Sequence, residues 1–393
     1  GKTTAMKVLA EAWMSEGGTV LGLAPSAVAA HELQEAVGRG HVDTLAKLTY
    51  ELGQGERSEQ EPEWLQRVDE GTLIVVDEAG MASTRDLAAV VEFALARGAS
   101  VRMVGDDQQL AAVQAGGVLR DLHTEVGAVT LTELMRFQNP EEGAATLALR
   151  EGDAEAIGFY LDNGRVHLYD EATIGEAVYR AWKADVDAGR SSLMVAYSNE
   201  QAAELNGRAR AERVDAGEVW GREVLLRSGL HASAGDVIIT RKIDRSLRLS
   251  ATDYVKNGDM FDVLEVAEDG SLRVRHRDTG HAITLPAVAR RKGGLSVGEH
   301  IDLGYARTVH TAQGTTVDTC HVALSGGETR QLAYTAVTRG RHQNHLYLFA
   351  GGDGDPANTL DPDTVQPVTA GEILERIIGR DGSQSSARTA IRE

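Results

Sequence analysis

Short apolar segments alternate with amphipathic segments through residues 1–135, and this alternation constrains the fold more than any other feature of the chain. Thr72–Val76 (T-L-I-V-V) is apolar or β-branched at every position, and Thr19–Leu23 and Ser100–Val104 have the same character. A strand of this kind needs cover on both faces, which is typical of a parallel sheet between two layers of helices. The intervening helices are predicted at Thr4–Met14, at Ala27–Val37 and, capped by Ser83 and ended by Gly98, up to Ala96.

A second unit of alternating strands and helices follows the first, and it is interrupted by a stretch with a different residue pattern. Between about Asp236 and His300, short β-type runs are separated by the turn sequences N-G-D at 257–259, E-D-G at 268–270 and D-T-G at 278–280. Such turns are hairpin signals, so they predict a small β-barrel-like insertion. The remaining elements are predicted as helices at Ile174–Ala188, Asn199–Arg213 and Glu328–Gly340 and as strands at Leu193–Tyr197, Gly304–Val309, Cys320–Leu324 and His345–Phe349.

These patterns predict an α/β fold class with two parallel-sheet domains. The first domain is predicted at residues 1–150, and the second at residues 151–235 together with 301–350. The β insertion is predicted at residues 236–300. The tail, residues 351–393, is rich in Gly, Asp, Pro and Ser, so it is predicted to be partly disordered apart from a short helix near Ile373–Ile378.

Composition sets the class of protein. The chain has 393 residues, a net charge of −19 and one cysteine, Cys320, which cannot form an internal disulfide. The sequence contains no apolar run long enough for a membrane span and no signal peptide, so we expect a cytoplasmic protein without a membrane partner. Histidine and cysteine are not clustered at metal-ligand spacing, so we expect no structural zinc.

The charge is unevenly distributed, which bears on a nucleic-acid partner. Residues 1–150 contain 12 Lys and Arg against 23 Asp and Glu, whereas residues 220–350 contain 17 against 14. Binding of a polyanion depends on local rather than global charge. The basic clusters are Arg241, Lys242, Arg245 and Arg248, and Arg290, Arg291 and Lys292. They fit either a nucleic-acid groove or ordinary solvated faces.

Acidic and amide side chains follow two neighbouring strands at the point where each strand ends. Asp77-Glu78 comes directly after T-L-I-V-V, and Gly105-Asp106-Asp107-Gln108-Gln109 follows the next strand. The carboxyl ends of parallel strands are where such sheets bind substrates, and carboxylates there can hold Mg²⁺ or activate water. A helix-capping acidic pair and ordinary turn residues are the structural alternatives.

The chain opens on Gly1-Lys2-Thr3-Thr4, the last part of a phosphate-binding loop that leads into a helix. The glycines that begin such a loop are not in the sequence, so we expect it to start inside a nucleotide site. Arg136 and Arg339 are candidates for contacting the γ-phosphate as it leaves during phosphoryl transfer. Taken singly, however, arginines are more often surface residues. Residues 308–314 (T-V-H-T-A-Q-G) bring polar groups to a strand end, where His310 could equally be a core histidine.

Seven segments in this order resemble the motor motifs of superfamily 1 helicases: GKTT, APSAVAAHEL, VVDEAG, VGDDQQL, LMRF, TVHTAQG and YTAVTRGR. The residues of these segments resemble those of the RecD-like branch, and within it those of the helicase portion of conjugative relaxases (the TraI/TrwC, or MobF, family). The resemblance implies two RecA-like motor domains with an SH3-like insertion, and an ATP-dependent 5′-to-3′ motor on DNA. Thr311 and Ala312 depart from the Lys and Ser that are common in this family.

The resemblance also implies roles for individual residues. Lys2 would hold the β- and γ-phosphates of ATP, with Gly1 and Thr4 beside it, while Thr3 and Asp77 would bind Mg²⁺ and Glu78 would be the base for the attacking water. Gln109 would couple the γ-phosphate to DNA, Arg136 and Arg339 would be arginine fingers, and Gln313 and Gly314 would touch both nucleotide and DNA. The positions expected near the DNA strand are Pro25, Ser26, Thr308 and His310.

The implied partners are single-stranded DNA and single-strand/duplex junctions, with other conjugation or repair proteins as further candidates. Because aromatic residues make up only 5% of the chain, we expect the DNA backbone to supply most of the affinity. Three other functions stay open: a RecD-like repair helicase, an inactive module that binds single-stranded DNA, and a small-molecule P-loop kinase. The kinase does not account for the second α/β unit.

Overall fold

The structure, a computed structural model, describes residues 2–55, 61–106, 117–131, 137–250, 253–350 and 368–382. The chain divides into two compact units, residues 1–135 with 382–393 and residues 136–381. Residues 137–150 belong to the second unit, whereas the sequence predicts a first domain of residues 1–150. Gly1, Gln109 and Arg136 lie outside the described residues, as does most of the tail.

The first unit is built on a parallel sheet of four strands in the order β2-β1-β3-β4. Its strands are β1 (Thr19–Ala24), β2 (His41–Thr44), β3 (Thr72–Val76) and β4 (Ser100–Met103). Its helices are α1 (Lys2–Ser15), α2 (Ala27–Val37), α3 (Leu45–Gly55), α4 (Glu63–Gln66), α5 (Thr84–Arg97) and α6 (Val118–Val126).

Strand β3 shows why this sequence makes a covered parallel sheet. All five of its residues are buried, and alternate side chains enter two different cores. Leu73 and Val75 pack with α1 and α2 on one face, whereas Ile74 and Val76 pack with α3 and α5 on the other. Each buried aliphatic side chain contributes about 2 kcal/mol to folding. The predicted parallel α/β architecture is confirmed for this unit.

The second unit contains a parallel sheet of five strands in the order β16-β6-β17-β18-β5. Its strands are β5 (Val166–Tyr169), β6 (Ser192–Ala196), β16 (Ala306–Thr308), β17 (Val317–Leu324) and β18 (Gly340–Phe349). Its helices are α7 (Pro140–Glu151), α8 (Glu155–Asp162), α9 (Glu171–Asp187), α10 (Asn199–Asp215), α11 (Val297–His300), α12 (Val309–Ala312), α13 (Arg330–Val337) and α14 (Ala370–Gly379).

Between β6 and β16 the chain forms an antiparallel module, where the sequence predicts an insertion. Five strands pair in the order β14-β13-β12-β9-β15, and β7-β8 and β10-β11 form two-stranded sheets. Their bounds are β7 (Trp220–Leu225), β8 (His231–Ala234), β9 (Val237–Thr240), β10 (Asp244–Arg248), β11 (Tyr254–Val255), β12 (Met260–Val266), β13 (Leu272–His276), β14 (Ala282–Leu285) and β15 (Ile301–Leu303). An SH3-like barrel stays a prediction for this module.

The module and the second parallel sheet share one hydrophobic core rather than folding as separate bodies. Trp182 of α9 lies edge-on to Tyr305, with ring centroids 6.1 Å apart, and both rings belong to the cluster that also holds Phe261 of β12. The Tyr305 hydroxyl donates to Asp236 Oδ1 at 2.8 Å, which satisfies both groups inside the core.

Local predictions differ from the structure at several points. Residues 257–259 connect β11 to β12, which pair with other strands, so this turn is not a hairpin, whereas the turns at 268–270 and 278–280 are. The segment predicted as a strand at Gly304–Val309 turns into helix α12 after Thr308. Helix α13 begins at Arg330 rather than Glu328, because Thr329 is its N-cap and the Thr329 hydroxyl accepts from Leu332 N. The Glu328 carboxylate instead accepts hydrogen bonds from the backbone of Ser325 and Gly326.

Candidate nucleotide site and basic surface

The ends of β1, β3 and β4 are tied together at one edge of the first sheet. The Asp77 backbone N–H donates to Leu23 O at 2.9 Å, and the Ala79 N–H donates to Val104 O at 2.9 Å. Gly80 and Gly105 permit this approach, because a Cβ on Gly80 would lie 2.6 Å from Asp106 O and one on Gly105 would lie 3.0 Å from Gly80 N. The two polar segments that follow neighbouring strands therefore meet, as their spacing predicts.

Lys2 joins the same edge from the first turn of α1. Its Nζ donates to Glu78 Oε1 at 2.6 Å and lies 2.9 Å from Asp77 Oδ1. Burial lowers the pKa of Lys2, but the charges of Glu78 and Asp77 outweigh burial, so the pKa lies above its ordinary value. One ammonium is thus held between the two carboxylates that the sequence places after β3.

Glu78 has an unusual backbone. Its φ of 49° is the only positive φ at a non-glycine residue in the described ranges. Its N–H donates to Asp77 Oδ1 at 2.8 Å, which orients the more buried of the two carboxylates. A left-handed conformation at a residue with a Cβ costs of order 1–3 kcal/mol and concentrates at functional sites. The turn is therefore held in place by its surroundings rather than by local preference.

The residues after Lys2 and after strand β1 lie beside this edge and differ in exposure and in contacts. Thr3 and Thr4 are exposed on the first turn of α1. Pro25 is half-buried after β1, and the Ser26 hydroxyl caps α2 by accepting from Ala29 N at 3.1 Å. Ser26 therefore has a structural task in addition to any contact with a ligand.

The second unit brings Arg339 to the segment that contains Gln313 and Gly314. Arg339 is only 2% exposed, its Nε donates to Thr335 O at 2.8 Å and its Nη2 donates to the Thr338 hydroxyl at 2.6 Å. Its Nη1 lies 3.5 Å from Thr315 O. In this conformation the guanidinium caps the C-terminal end of α13, an arrangement that favours a cation.

Thr308 and His310 lie at the carboxyl end of β16. The Thr308 hydroxyl lies 3.2 Å from that of Thr311, and the His310 side chain is exposed on α12. Gly314 is exposed with a φ of 84°, a left-handed conformation that favours glycine. The polar groups of this motif are therefore grouped on one short stretch of chain, next to Arg307.

Sequence reasoning missed Arg307, which is 9% exposed and whose Nη1 donates to the Thr315 hydroxyl at 2.9 Å. Burial, followed by repulsion from Arg241 and Arg277, lowers its pKa to about 10, and Asp278 opposes this shift. Because Ala306 and Arg307 are both buried on β16, strand alternation gives no signal that could have identified this buried cation.

A second missed contact is a buried carboxylate from far away in the sequence. Glu142 is fully buried, and its Oε1 accepts from Asn344 N at 3.1 Å and from Asn344 Nδ2 at 2.8 Å. Asn344 Oδ1 in turn accepts from Gly340 N at 2.8 Å, which shapes the turn after Arg339. Burial raises the pKa of Glu142 despite these bonds. No local pattern predicts a contact across 202 positions.

The basic clusters that the sequence singles out lie around the β10–β11 hairpin. The Tyr254 ring centroid is 4.9 Å from the guanidinium of Arg245 and 5.6 Å from Nζ of Lys256. Arg291 reaches the buried Asp244 at 2.9 Å, which places the second cluster beside the first. The described part of the chain contains no helix that meets the length and apolarity of a membrane span and no cluster of side chains suited to hold a metal ion by themselves.

Two parallel sheets flanked by helices, with a lysine at a helix start facing paired carboxylates at a strand end, define a nucleotide-binding α/β protein of the P-loop class. A family model described as an AAA domain matches residues 1–171. Conjugal transfer protein TraA of Agrobacterium fabrum is 30% identical over 357 residues, which are 89% of this chain and 30% of that protein. The RecBCD enzyme subunit RecD of Mycolicibacterium smegmatis is 30% identical over 284 residues, 68% of this chain and 48% of that subunit.

Among solved structures, Pif1 helicase from Bacteroides in complex with ADP-AlF3 and single-stranded DNA aligns with a TM-score of 0.53 and 19% identity, over 88% of this chain and 86% of that one. The likeness shows a shared fold. The chain is similar to TraA conjugal transfer proteins and to RecD subunits, as its motifs predict. It spans 30% of the length of the TraA relative and 48% of the RecD relative.

Proposed function

We propose that the protein is an ATP-dependent DNA helicase or translocase that moves 5′ to 3′, as the motor part of a protein for conjugative DNA transfer. The observation that carries the proposal is the Lys2 ammonium held between Asp77 and Glu78 at the sheet edge. The relatives support the DNA substrate and the setting: TraA is named a conjugal transfer protein, and the Pif1 structure is a complex with single-stranded DNA.

The residues present suit a nucleotide with magnesium. Lys2 and the first N–H groups of the 14-residue helix α1 can bind phosphate, because both are positive toward an anion. The Thr3 hydroxyl and the Asp77 carboxylate supply the oxygen ligands that Mg²⁺ prefers. Magnesium bound there would neutralise charge on the phosphates during their transfer.

Lys2 links binding to catalysis in this scheme. Without nucleotide its ammonium neutralises Asp77 and Glu78, and phosphate oxygens compete for the same ammonium. When Lys2 turns to phosphate, Asp77 is free to face a metal ion and Glu78 is free to accept a proton from water. The constrained turn at Glu78, whose backbone N–H donates to Asp77 Oδ1, would hold the two residues together in both states.

Further residues are candidates in the same reaction. Gln109 and Arg136 keep the roles that the resemblance implies. Arg339 would act as an arginine finger after its guanidinium leaves Thr335 O and the Thr338 hydroxyl, which are its partners in this structure. Gln313 and Gly314 adjoin Thr315, to which Arg339 points, so a movement of Arg339 would reach them directly.

The proposal is tested by ATP hydrolysis with and without single-stranded DNA, on protein that includes the glycine-rich half of the phosphate loop. Strong stimulation by DNA is expected, and duplexes with a 5′ or a 3′ tail then determine polarity. Hydrolysis that ignores DNA would contradict a DNA motor. DNA binding without any hydrolysis would favour the inactive binding module. Polarity opposite to that proposed would remove the 5′-to-3′ assignment alone.

A further inference from the structure

The chain that follows Arg339 is held by one side chain, that of Asn344. Asn344 is fully buried, its Oδ1 accepts from Gly340 N at 2.8 Å, and its Nδ2 donates to Gly340 O at 3.1 Å. Both polar backbone groups of Gly340 are therefore bound by a single amide. A Cβ at position 340 would lie 2.3 Å from Gln343 O, so only glycine fits here.

The strand register shows a β-bulge at this point. Val317 of β17 pairs with Gly340 of β18, and Thr319 pairs with Gln343. Two steps along β17 therefore correspond to three along β18, so β18 contains one extra residue. A bulge bends its strand and re-aims the side chains next to it. The neighbouring side chain here is that of Arg339, whose backbone carbonyl accepts from Val317 N at 3.0 Å.

The orientation of the Asn344 amide is fixed in turn by Glu142 on helix α7. Glu142 Oε1 accepts from Asn344 N at 3.1 Å and from Asn344 Nδ2 at 2.8 Å. Because this oxygen accepts, it selects the orientation in which Nδ2 faces Glu142 and Oδ1 faces Gly340. The other oxygen, Oε2, is buried without a hydrogen-bond partner in the described part of the chain. Burying it costs free energy, and a positioning role of Oε1 accounts for a residue kept at that cost.

Helix α7 begins shortly after Arg136 in the sequence. Gln138 N donates to Arg341 O at 3.0 Å, two residues before the helix starts. The segment that follows Arg136 is therefore bound to β18 at two points, once at Arg341 and once through Glu142. These contacts lie within one compact unit, so the segment and the bulge after Arg339 form a continuous scaffold.

We propose that Glu142 and Asn344 are positioning residues for Arg339 in ATP hydrolysis. They hold the backbone of the bulge, so the Arg339 guanidinium leaves its inward contacts and reaches a phosphate from a fixed origin. Fixing this origin matters because a misplacement of about 1 Å can lower turnover by about a hundredfold. Neither Glu142 nor Asn344 touches the nucleotide in this scheme. The inference rests on the proposed function and on the finger role of Arg339 within it.

The test measures ATP hydrolysis stimulated by single-stranded DNA, on protein that includes the glycine-rich half of the phosphate loop. Glu142→Ala is expected to lower kcat by about 10- to 100-fold while KM for ATP and the affinity for DNA change little. Glu142→Gln keeps an oxygen that accepts from Asn344, so it is expected to restore most of the turnover. Thr146→Val is the matched control, because Thr146 is buried on the same helix but its hydroxyl contacts Tyr160 and the helix backbone.

The stability of the same variants separates positioning from a general loss of structure. Glu142→Ala and Thr146→Val are both expected to lower the melting temperature, because each removes buried hydrogen bonds. Turnover is measured below the melting transition of every variant, and only Glu142→Ala is expected to lose it. If Glu142→Ala does not fold, Glu142→Asp replaces it, because its shorter side chain withdraws the carboxylate from Asn344 and keeps the charge.

A double variant tests whether Glu142 acts through Arg339. In the Arg339→Ala background, Glu142→Ala is expected to lower kcat no further, because the group that it positions is already absent. Losses of kcat that multiply in the double variant would overturn the proposal. Equal losses for Glu142→Ala and Thr146→Val would also overturn it, and a loss in Glu142→Gln as large as in Glu142→Ala would overturn the role of Oε1.

The remaining outcomes distinguish this proposal from the proposed function. If Arg339→Ala loses turnover while Glu142→Ala matches the wild type, only the positioning role fails. If Arg339→Ala keeps normal turnover, the finger role of Arg339 fails and the positioning role fails with it. Hydrolysis by the wild type that ignores DNA would contradict the proposed motor itself.

Discussion

Replacing Lys2 with methionine removes the cation that two carboxylates share in the ligand-free protein. The Asp77 side chain is 6% exposed and that of Glu78 is 26% exposed, so neither carboxylate is fully solvated when Lys2 is absent. Methionine has a similar length, so the helix and its packing are kept while the charge and both contacts are lost. The variant therefore isolates the electrostatic contribution of Lys2.

The expected magnitude follows from the geometry. A hydrogen bond to a charged group contributes about 1.5–3 kcal/mol, and Lys2 makes contacts of 2.6 and 2.9 Å. The Lys2 side chain is 33% exposed, so solvent screening reduces each contribution. We expect a loss of about 2 kcal/mol in the free energy of unfolding, or about 6 °C in the melting temperature of a domain of this size.

The measurement is calorimetric unfolding without nucleotide, with Lys7→Met as the matched control. Lys7 lies on the same helix but is 60% exposed and 4.0 Å from Glu11, so its loss is expected to cost about 0.3 kcal/mol. The double variant Lys2→Met, Asp77→Asn is expected to lose less free energy of unfolding than the sum of the two single variants. The reason is that the second change removes the Asp77 charge that is left without Lys2. Equal losses for Lys2→Met and Lys7→Met would refute the shared ion pair.

The pH dependence of the same comparison has a definite sign. The folded-state pKa of Lys2 lies above its ordinary value of 10.5, so the ammonium contribution is complete below that pH. It is lost as pH rises through the folded-state pKa. The stability difference between the wild type and Lys2→Met is therefore expected to be constant at neutral pH and to narrow in the alkaline range. A difference that grows with alkalinity would contradict the assigned interaction.

Four further predictions test the second unit. Arg339→Ala is expected to lower DNA-stimulated turnover about a thousandfold while ATP binding is kept, and Arg339→Lys to restore little of it; normal turnover in the alanine variant would exclude the finger role. Glu142→Ala is expected to cost about 2 kcal/mol in chemical denaturation, against less than 0.5 kcal/mol for the exposed Glu141→Ala, and equal costs would count against the buried contact. Burial, together with the charges of neighbouring histidines and an arginine, lowers the pKa of His345 to about 3. Its NMR signals should therefore remain those of a neutral imidazole at pH 5. The free energy of unfolding should fall as pH drops below about 6.5, because there only the imidazole of the unfolded chain takes a proton. Burial raises the pKa of the Cys320 thiol to about 12, so thiol labelling should occur only on unfolding, and rapid labelling of the native protein would contradict its placement.

Elements with a local cause were predicted correctly from the sequence. Strand β3 has the predicted bounds, because five consecutive apolar or β-branched residues suit only a doubly covered strand. Helix α5 begins after Ser83, whose hydroxyl accepts from Asp86 N, and ends at Gly98 with a φ of 70°. The residues on either side of these boundaries are sufficient to determine them.

Other elements depended on contacts that the sequence does not display. Helix α12 replaces the end of a predicted strand, and β18 begins at Gly340, five residues before the predicted start, where Asn344 holds its backbone. The Asn344 amide in turn donates to the buried Glu142 carboxylate. Long-range polar contacts of this kind override local preferences, and no local pattern reveals them.

For the candidate site, the sequence by itself determined the chemistry, because Asp77 and Glu78 follow a strand of a parallel sheet and Lys2 opens the helix of a phosphate-binding loop. Only the tertiary structure decided how they are used: the ammonium lies between the carboxylates, and Glu78 takes a left-handed backbone. It also decided that Arg339 is turned inward and that Arg307 is buried without a carboxylate. Burial and the pairing of charges depend on which distant segments pack together, and that is a property of the whole fold.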